Sequence, residues 1–68
     1  MNIKTGDVIY TKDKQKVWYV LNVDFSRNEI EYNFYYLNAF DLKILGNLKY
    51  WNDFFLSDDN IIIQSASN

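Results

Sequence analysis

Hydrophobic and polar residues alternate along much of this chain, with the two-residue period of β-strands. Gly6-Asp7 punctuates the start, and Val8-Ile9-Tyr10 reads as a short strand over residues 7–11. Lys12-Asp13-Lys14-Gln15 is polar throughout and makes a first turn. From 16 to 25 the period is sustained: Val17, Tyr19, Leu21, Val23 and Phe25 point one way, Trp18, Val20, Asn22 and Asp24 the other. Residues 29–37 alternate as well, with Ile30, Tyr32, Phe34 and Tyr36 set against Glu29, Glu31, Asn33, Tyr35 and Leu37. With Arg27-Asn28 as a two-residue loop, Phe25 faces Ile30, Val23 faces Tyr32, Leu21 faces Phe34 and Tyr19 faces Tyr36, apolar on both sides. A four-residue loop keeps this register. A three-residue loop would set Phe25 against Glu29, so the pattern excludes an odd slip.

Phe40, Leu42 and Ile44 alternate with Asp41 and Lys43, a fourth strand that closes at Gly46-Asn47 as a tight turn. Beyond it the period changes. Leu48, Trp51 and Phe55 fall at helical spacings of three and four, which favours one short helical turn over residues 52–56, although a hairpin into another strand also fits. Residues 57–60 are a polar loop, Ile61-Ile62-Ile63 is a buried last strand, and residues 65–68 are expected to fray beyond a single domain over 1–64. With 2 Gly and 0 Pro, strands follow one another through brief turns, the layout of an all-β five-stranded barrel or strongly bent antiparallel sheet.

The run "KTGDVIYTK", the long hairpin "KVWYVLNVDFSRNEIEYNFYYL", a helical turn near "WNDFF" and the last strand "NIIIQ" resemble an SH3-like small β-barrel. Gly6-Asp7-Val8-Ile9 followed by residues 17–23 looks like the start of KOW-type and related bacterial modules. The first loop, Lys12-Asp13-Lys14-Gln15-Lys16, departs from the glycine-rich loop common in those modules. That departure argues against the ribosome- or RNA-binding role the resemblance would imply, and a fold of this kind does not fix a function.

Composition narrows the chemistry. At 68 residues the chain sits where a fold hides only about 60% of the surface its unfolded form exposes. There is no Cys or His to supply a disulfide, a His/Cys zinc site, or a nucleophile or acid-base group that titrates near neutrality. Stability must come from the core, for which 5 Phe, 6 Tyr and 2 Trp provide large side chains. No cofactor or metal is expected, and the chain does not read as an enzyme. Asp58-Asp59 with Asp53 nearby lack the spacing of a calcium loop and read as a solvated turn. Lack of Cys and of any N-glycosylation sequon fits a cytoplasmic protein, and no apolar run approaches a membrane span. Roughly half the chain is Asn, Ile, Lys, Tyr or Phe, the bias of an AT-rich gene, as in a phage, another mobile element or a low-GC bacterium.

Charge separates the two candidate functions. Residues 1–16 hold four lysines against Asp7 and Asp13; the remainder, with Arg27, Lys43 and Lys49 against seven acids, is net negative. Lys12, Lys14 and Lys16 beside Tyr10 could hold a single-stranded nucleic acid by stacking and charge, but the net charge of −2 opposes the broad positive field such binding needs. Acidic residues such as Asp24, Glu29 and Glu31 could mimic a phosphate track, although ordinary solubility accounts for them better. The register above leaves a second apolar patch at the base of the hairpin, where Val20 faces Tyr35 and Trp18 faces Leu37. Either residues around Trp51 and Phe55 cover this patch, or it is offered to a protein partner or a second copy with Trp18 and Tyr35 as anchors. The primary expectation is a protein-binding module; the alternative is a nucleic-acid-binding barrel.

Overall fold

The computed structural model describes residues 3–36, 42–55 and 57–66. Its elements are β1 (Val8–Thr11), β2 (Lys16–Asp24), β3 (Glu29–Tyr36), β4 (Leu42–Asn47), α1 (Leu48–Phe54) and β5 (Ile61–Gln64). The strands form one antiparallel sheet in the order β4-β3-β2-β1-β5. Strands β1 to β4 form a meander, and α1 carries the chain back so that β5 pairs with β1. The five-stranded all-β architecture with one short helix before the last strand is as the sequence implies. The sheet is bent and not closed into a barrel: β4 and β5 are its two edges.

Two turns set the hairpins. After β1, the Asp13 carboxylate accepts the Thr11 hydroxyl and the Gln15 N–H, and Lys14 takes a left-handed φ of 61°. Between β2 and β3 the loop has four residues, 25–28, because Asp24 pairs with Glu29. Asp24 Oδ1 accepts the Ser26 and Arg27 N–H groups at 3.1 and 3.2 Å, and Asn28 closes the turn at φ 57°. The two-residue Arg27-Asn28 loop is thereby corrected, and Phe25 is exposed in the turn rather than paired with Ile30.

The register changes once more inside β2. Near the tip Val23 pairs with Ile30 and Asn22 with Glu31, but the next pair is Val20 with Tyr32, so Leu21 is the extra residue of a β-bulge. A bulge supplies the odd slip that simple alternation excluded. It lets Val23 near the tip and Val20 and Trp18 beyond it pair with the same apolar side of β3, namely Ile30, Tyr32 and Phe34. The expected pairs Leu21–Phe34 and Tyr19–Tyr36 are replaced by Trp18–Phe34 and Tyr19–Asn33.

Strand β4 runs through Gly46 instead of turning there. A Cβ on Gly46 would stand 3.3 Å from Tyr32 Cε1 and 3.4 Å from Trp51 Nε1, so this glycine allows close packing of two rings. Asn47 is the N-cap of α1: its side chain accepts the Tyr50 N–H at 3.1 Å. The helix therefore starts four residues before the expected 52–56 turn. The helical face anticipated from Leu48, Trp51 and Phe55 is present, with Leu48 and Trp51 buried and Phe55 packed against the core.

Ile3, Ile9, Trp18, Val20, Ile30, Leu48 and Trp51 form the buried core. Trp51 lies 4.5 Å from both Tyr32 and Phe55, centroid to centroid, and Trp18 sits edge-on to it at 6.2 Å. Asp7 is the one buried charged residue among those described; its two carboxylate oxygens accept the N–H groups of Lys4 and Ala66, both at 2.9 Å. Ala66, placed in the fraying tail by its sequence position, is thus tied to the start of the chain. No described helix is long and apolar enough to cross a membrane.

Candidate binding face of the sheet

Pairing in the sheet sorts its side chains into two faces. The inner face carries Ile9, Trp18, Val20, Ile30, Tyr32, Phe34, Ile61 and Ile63, against which Leu48, Trp51 and Phe55 pack. The outer face follows by alternation and reads as four rows across the strands. The first is Ile62, Tyr10, Val17 and Tyr35, and the second is Gln64, Val8, Tyr19, Asn33 and Lys43. Toward the hairpin tip follow Asn22, Glu31 and Leu45, and then Asp24, Glu29 and Asn47.

The first row is wholly apolar or aromatic, a cross-strand cluster spanning β5, β1, β2 and β3. Its members are half-buried and Tyr19 beside them is 43% exposed. Directly opposed neighbours on one face shield one another, which accounts for partial burial without a covering layer. The only described helix lies on the inner face, where Trp51 contacts Tyr32 and Trp18. Among the described residues, no helix or second sheet covers the outer rows.

Residues singled out from the sequence are distributed differently than expected. Trp18 is 7% exposed and Val20 fully buried, with Trp18 between Phe34 at 5.4 Å, Phe55 at 5.1 Å and Trp51. The expectation of Trp18 as an exposed anchor is corrected, and cover by Trp51 and Phe55 is what the fold adopts, because the bulge turns Trp18 inward. Tyr35 does lie on the outer face, paired with Val17 instead of Val20, while Leu37 lies outside the described residues. Val8, Val17, Tyr19 and Ile62 join Tyr35 there. Sequence alternation had set Val17 and Tyr19 on the inner ladder, and no glycine or charge marks the bulge that moves them.

The basic set divides between two hollows. Tyr10 and Lys14 line one of about 270 Å³ with Val8, Val17 and Gln64. Lys12 and Lys16 line another of about 410 Å³ with Thr11, Asp13, Asp58 and Asn60, where two carboxylates offset their charge. The Asp13 carboxyl is held below its ordinary range, chiefly by the Thr11 hydroxyl, and so stays negative in that hollow. On the outer face Glu31 pairs with Lys43 at 3.3 Å, and Glu29 stands beside it. Among the described residues, no group of three or more acidic side chains could hold a metal ion.

Other large apolar side chains are exposed as well: Phe25 in the tip turn, Tyr36, Leu42, Leu45 on β4, and the Tyr50–Phe54 pair, stacked at 4.9 Å on α1. None of them forms an apolar row spanning several strands. No family model, curated protein or solved structure shows a significant match to this chain.

Proposed function

We propose that the chain is a non-catalytic binding module that engages a protein through the outer face of its sheet. The observation that carries this reading is the uninterrupted row Ile62, Tyr10, Val17 and Tyr35, extended by Val8 and Tyr19 and bordered by Lys14 at one end and Glu29 and Glu31 at the other. An apolar and tyrosine-rich centre with a mixed-charge rim is the usual anatomy of a protein interface. Tyr19 and Tyr35 take the anchoring role that the sequence suggested for Trp18 and Tyr35. The meander with β5 returning to β1 supports kinship with SH3-like modules in an open form.

Nucleic-acid binding is the weaker reading, since the four residues proposed for it do not converge and the face holding Tyr10 and Lys14 also holds Glu29 and Glu31. A photo-crosslinking amino acid at position 19, with exposed Lys49 as the control position, tests the proposal in the source cell. A discrete protein adduct from position 19 and none from 49 is expected. No protein adduct at 19, or salt-sensitive oligonucleotide binding abolished by Lys14→Ala and Tyr10→Ala, overturns it.

A further inference from the structure

We propose that the partner segment held by the outer face is acidic and apolar: a leucine-like side chain enters the hollow over β1 while a neighbouring Asp or Glu carboxylate meets Lys14. The inference rests on the outer face being a protein-binding surface and names the chemistry of what that face holds. Val8 and Tyr10 follow one another along β1 on this face, Gln64 pairs with Val8, and Val17 pairs with Tyr10. Together they line the hollow as an apolar floor, with Gln64 toward one end and the Lys14 side chain, from the turn after β1, at the other. At about 270 Å³ it falls below the range of about 300–1,000 Å³ usual for small-molecule pockets, and it suits one or two side chains of a passing peptide.

Charge decides what accompanies the apolar group. Lys14 is exposed and, among the described residues, its ammonium has no ion pair. Asp13, its neighbour in the chain, directs its carboxylate to the Thr11 hydroxyl and the Gln15 N–H and lines the other hollow. The acids of the outer face stand toward the hairpin tip, where Glu31 is paired with Lys43 and Asp24 with Arg27. Glu29, in the same end row as Asp24, lies about 20 Å along β3 from Tyr35 in the row of Tyr10 and Val17. That is more than twice the screening length of about 8 Å at physiological salt, so Glu29 does not offset Lys14. An uncompensated cation at the end of an apolar trough complements a carboxylate beside an apolar side chain. The turn also decides which carboxylate. A chain terminus or a phosphate is captured by successive main-chain N–H groups. Those of Lys14, Gln15 and Lys16 already donate to the Thr11 carbonyl, Asp13 Oδ1 and Thr11 Oγ1. One ammonium on a flexible stem is left for the ligand, which suits a single side-chain carboxylate.

Titration of the isotope-labelled chain with three acetylated, amidated pentapeptides, GELEG, GQLQG and GKLKG, tests this by NMR. GELEG is expected to shift the amide signals of Val8, Tyr10, Val17 and Gln64 saturably in the millimolar range. It should bind roughly three- to fivefold more tightly than GQLQG, the scale of an exposed ion pair. Lys14→Gly suits the φ of 61° and keeps the turn, and it should remove the difference between the two peptides. Lys14→Glu should reverse the order in favour of GKLKG. Equal binding of GELEG and GQLQG, or a preference that neither Lys14 variant moves, overturns the proposal, as does binding of GELEG only when its C-terminus is left free. The crosslink from position 19 separates the two ideas. A protein adduct there, with no shift of the four signals by GELEG, leaves the binding face standing and removes the acidic segment, whereas no adduct and no shift remove both.

Discussion

Individual positions in this chain are held to their residue types by geometry that composition does not announce. Gly46 looks like a turn glycine but sits within β4, and its hydrogen faces the edge of Trp51 and the ring of Tyr32. A valine there must displace two ring systems of the core, so Gly46→Val is expected to cost roughly 1–3 kcal/mol. Chemical denaturation would read this as a lower midpoint at unchanged slope; an unchanged midpoint would show that the rings have room. Asn28 presents a different case, a polar residue whose backbone makes the turn and whose side-chain amide donates to Asn47 Oδ1 at 3.3 Å. Its φ of 57° disfavours a β-branched residue, and its carbonyl accepts the Leu48 N–H at 2.9 Å, coupling the hairpin tip to the helix start. Asn28→Gly keeps the backbone and loses only the exposed amide bond to Asn47, so it should lower the melting temperature slightly, while Asn28→Val should cost more, about 1–2 kcal/mol from the backbone alone.

At the scale of elements, the bulge at Leu21 decides which half of the long hairpin faces the core. Deleting Leu21 would make the β2–β3 pairing continuous while keeping Val23, Val20 and Trp18 against Ile30, Tyr32 and Phe34, because only the unpaired residue is lost. The deletion variant should keep cooperative unfolding with Trp emission unshifted; a red-shifted emission with loss of cooperativity would refute the assignment of Leu21 as the unpaired residue. This element also shows how far the sequence could be read. The first three strands, the last strand and the helical face of Leu48, Trp51 and Phe55 follow from periodicity, which is local, whereas the tip loop is 25–28 instead of Arg27-Asn28 and β4 runs on through Gly46. The face assignment past Leu21 depends on one unpaired residue of ordinary composition, and the binding row depends on that assignment. Tyr35 was therefore within reach of sequence reasoning, whereas Trp18 was drawn to the wrong side and Tyr19 with it. The turns themselves carry a pH signature. Asp13 and Asp24 have lowered pKa values, chiefly through the hydroxyls of Thr11 and Ser26 respectively. A carboxylate with a lower pKa folded than unfolded stabilises the fold above its unfolded value and loses that contribution as pH falls through the folded one. Melting temperature should thus decline as pH drops below the ordinary aspartate value of 3.8, and less steeply in Asp13→Asn and Asp24→Asn variants.

Over the whole molecule, stability depends on tying together the ends of a sheet whose edge strands are β4 and β5. Asp7 makes part of that tie. Its N–H donates to the Lys4 carbonyl at 3.0 Å, its own carbonyl accepts the Val20 N–H at 3.0 Å, and its carboxylate joins Lys4 to Ala66, which lies 59 residues beyond Asp7. Gly6, at φ 92°, lets the chain turn under Ala66, whose Cβ would stand 3.1 Å from a Cβ at that position. At 1% exposure the carboxylate has given up nearly all its water, so the two N–H groups are what compensate it. Replacing Asp7 with Ala strands both donors and should cost roughly 2–4 kcal/mol, a large share of the approximately 3–10 kcal/mol available to a chain this size. Ending the chain after Gln64 removes only the Ala66 partner and should cost less. Because both changes break the same Asp7–Ala66 bond, their combination should cost less than the sum of the two. Thermal or denaturant unfolding of the two variants and their combination measures this directly, and strict additivity would mean that Asp7 does not hold the last residues of the fold to the first.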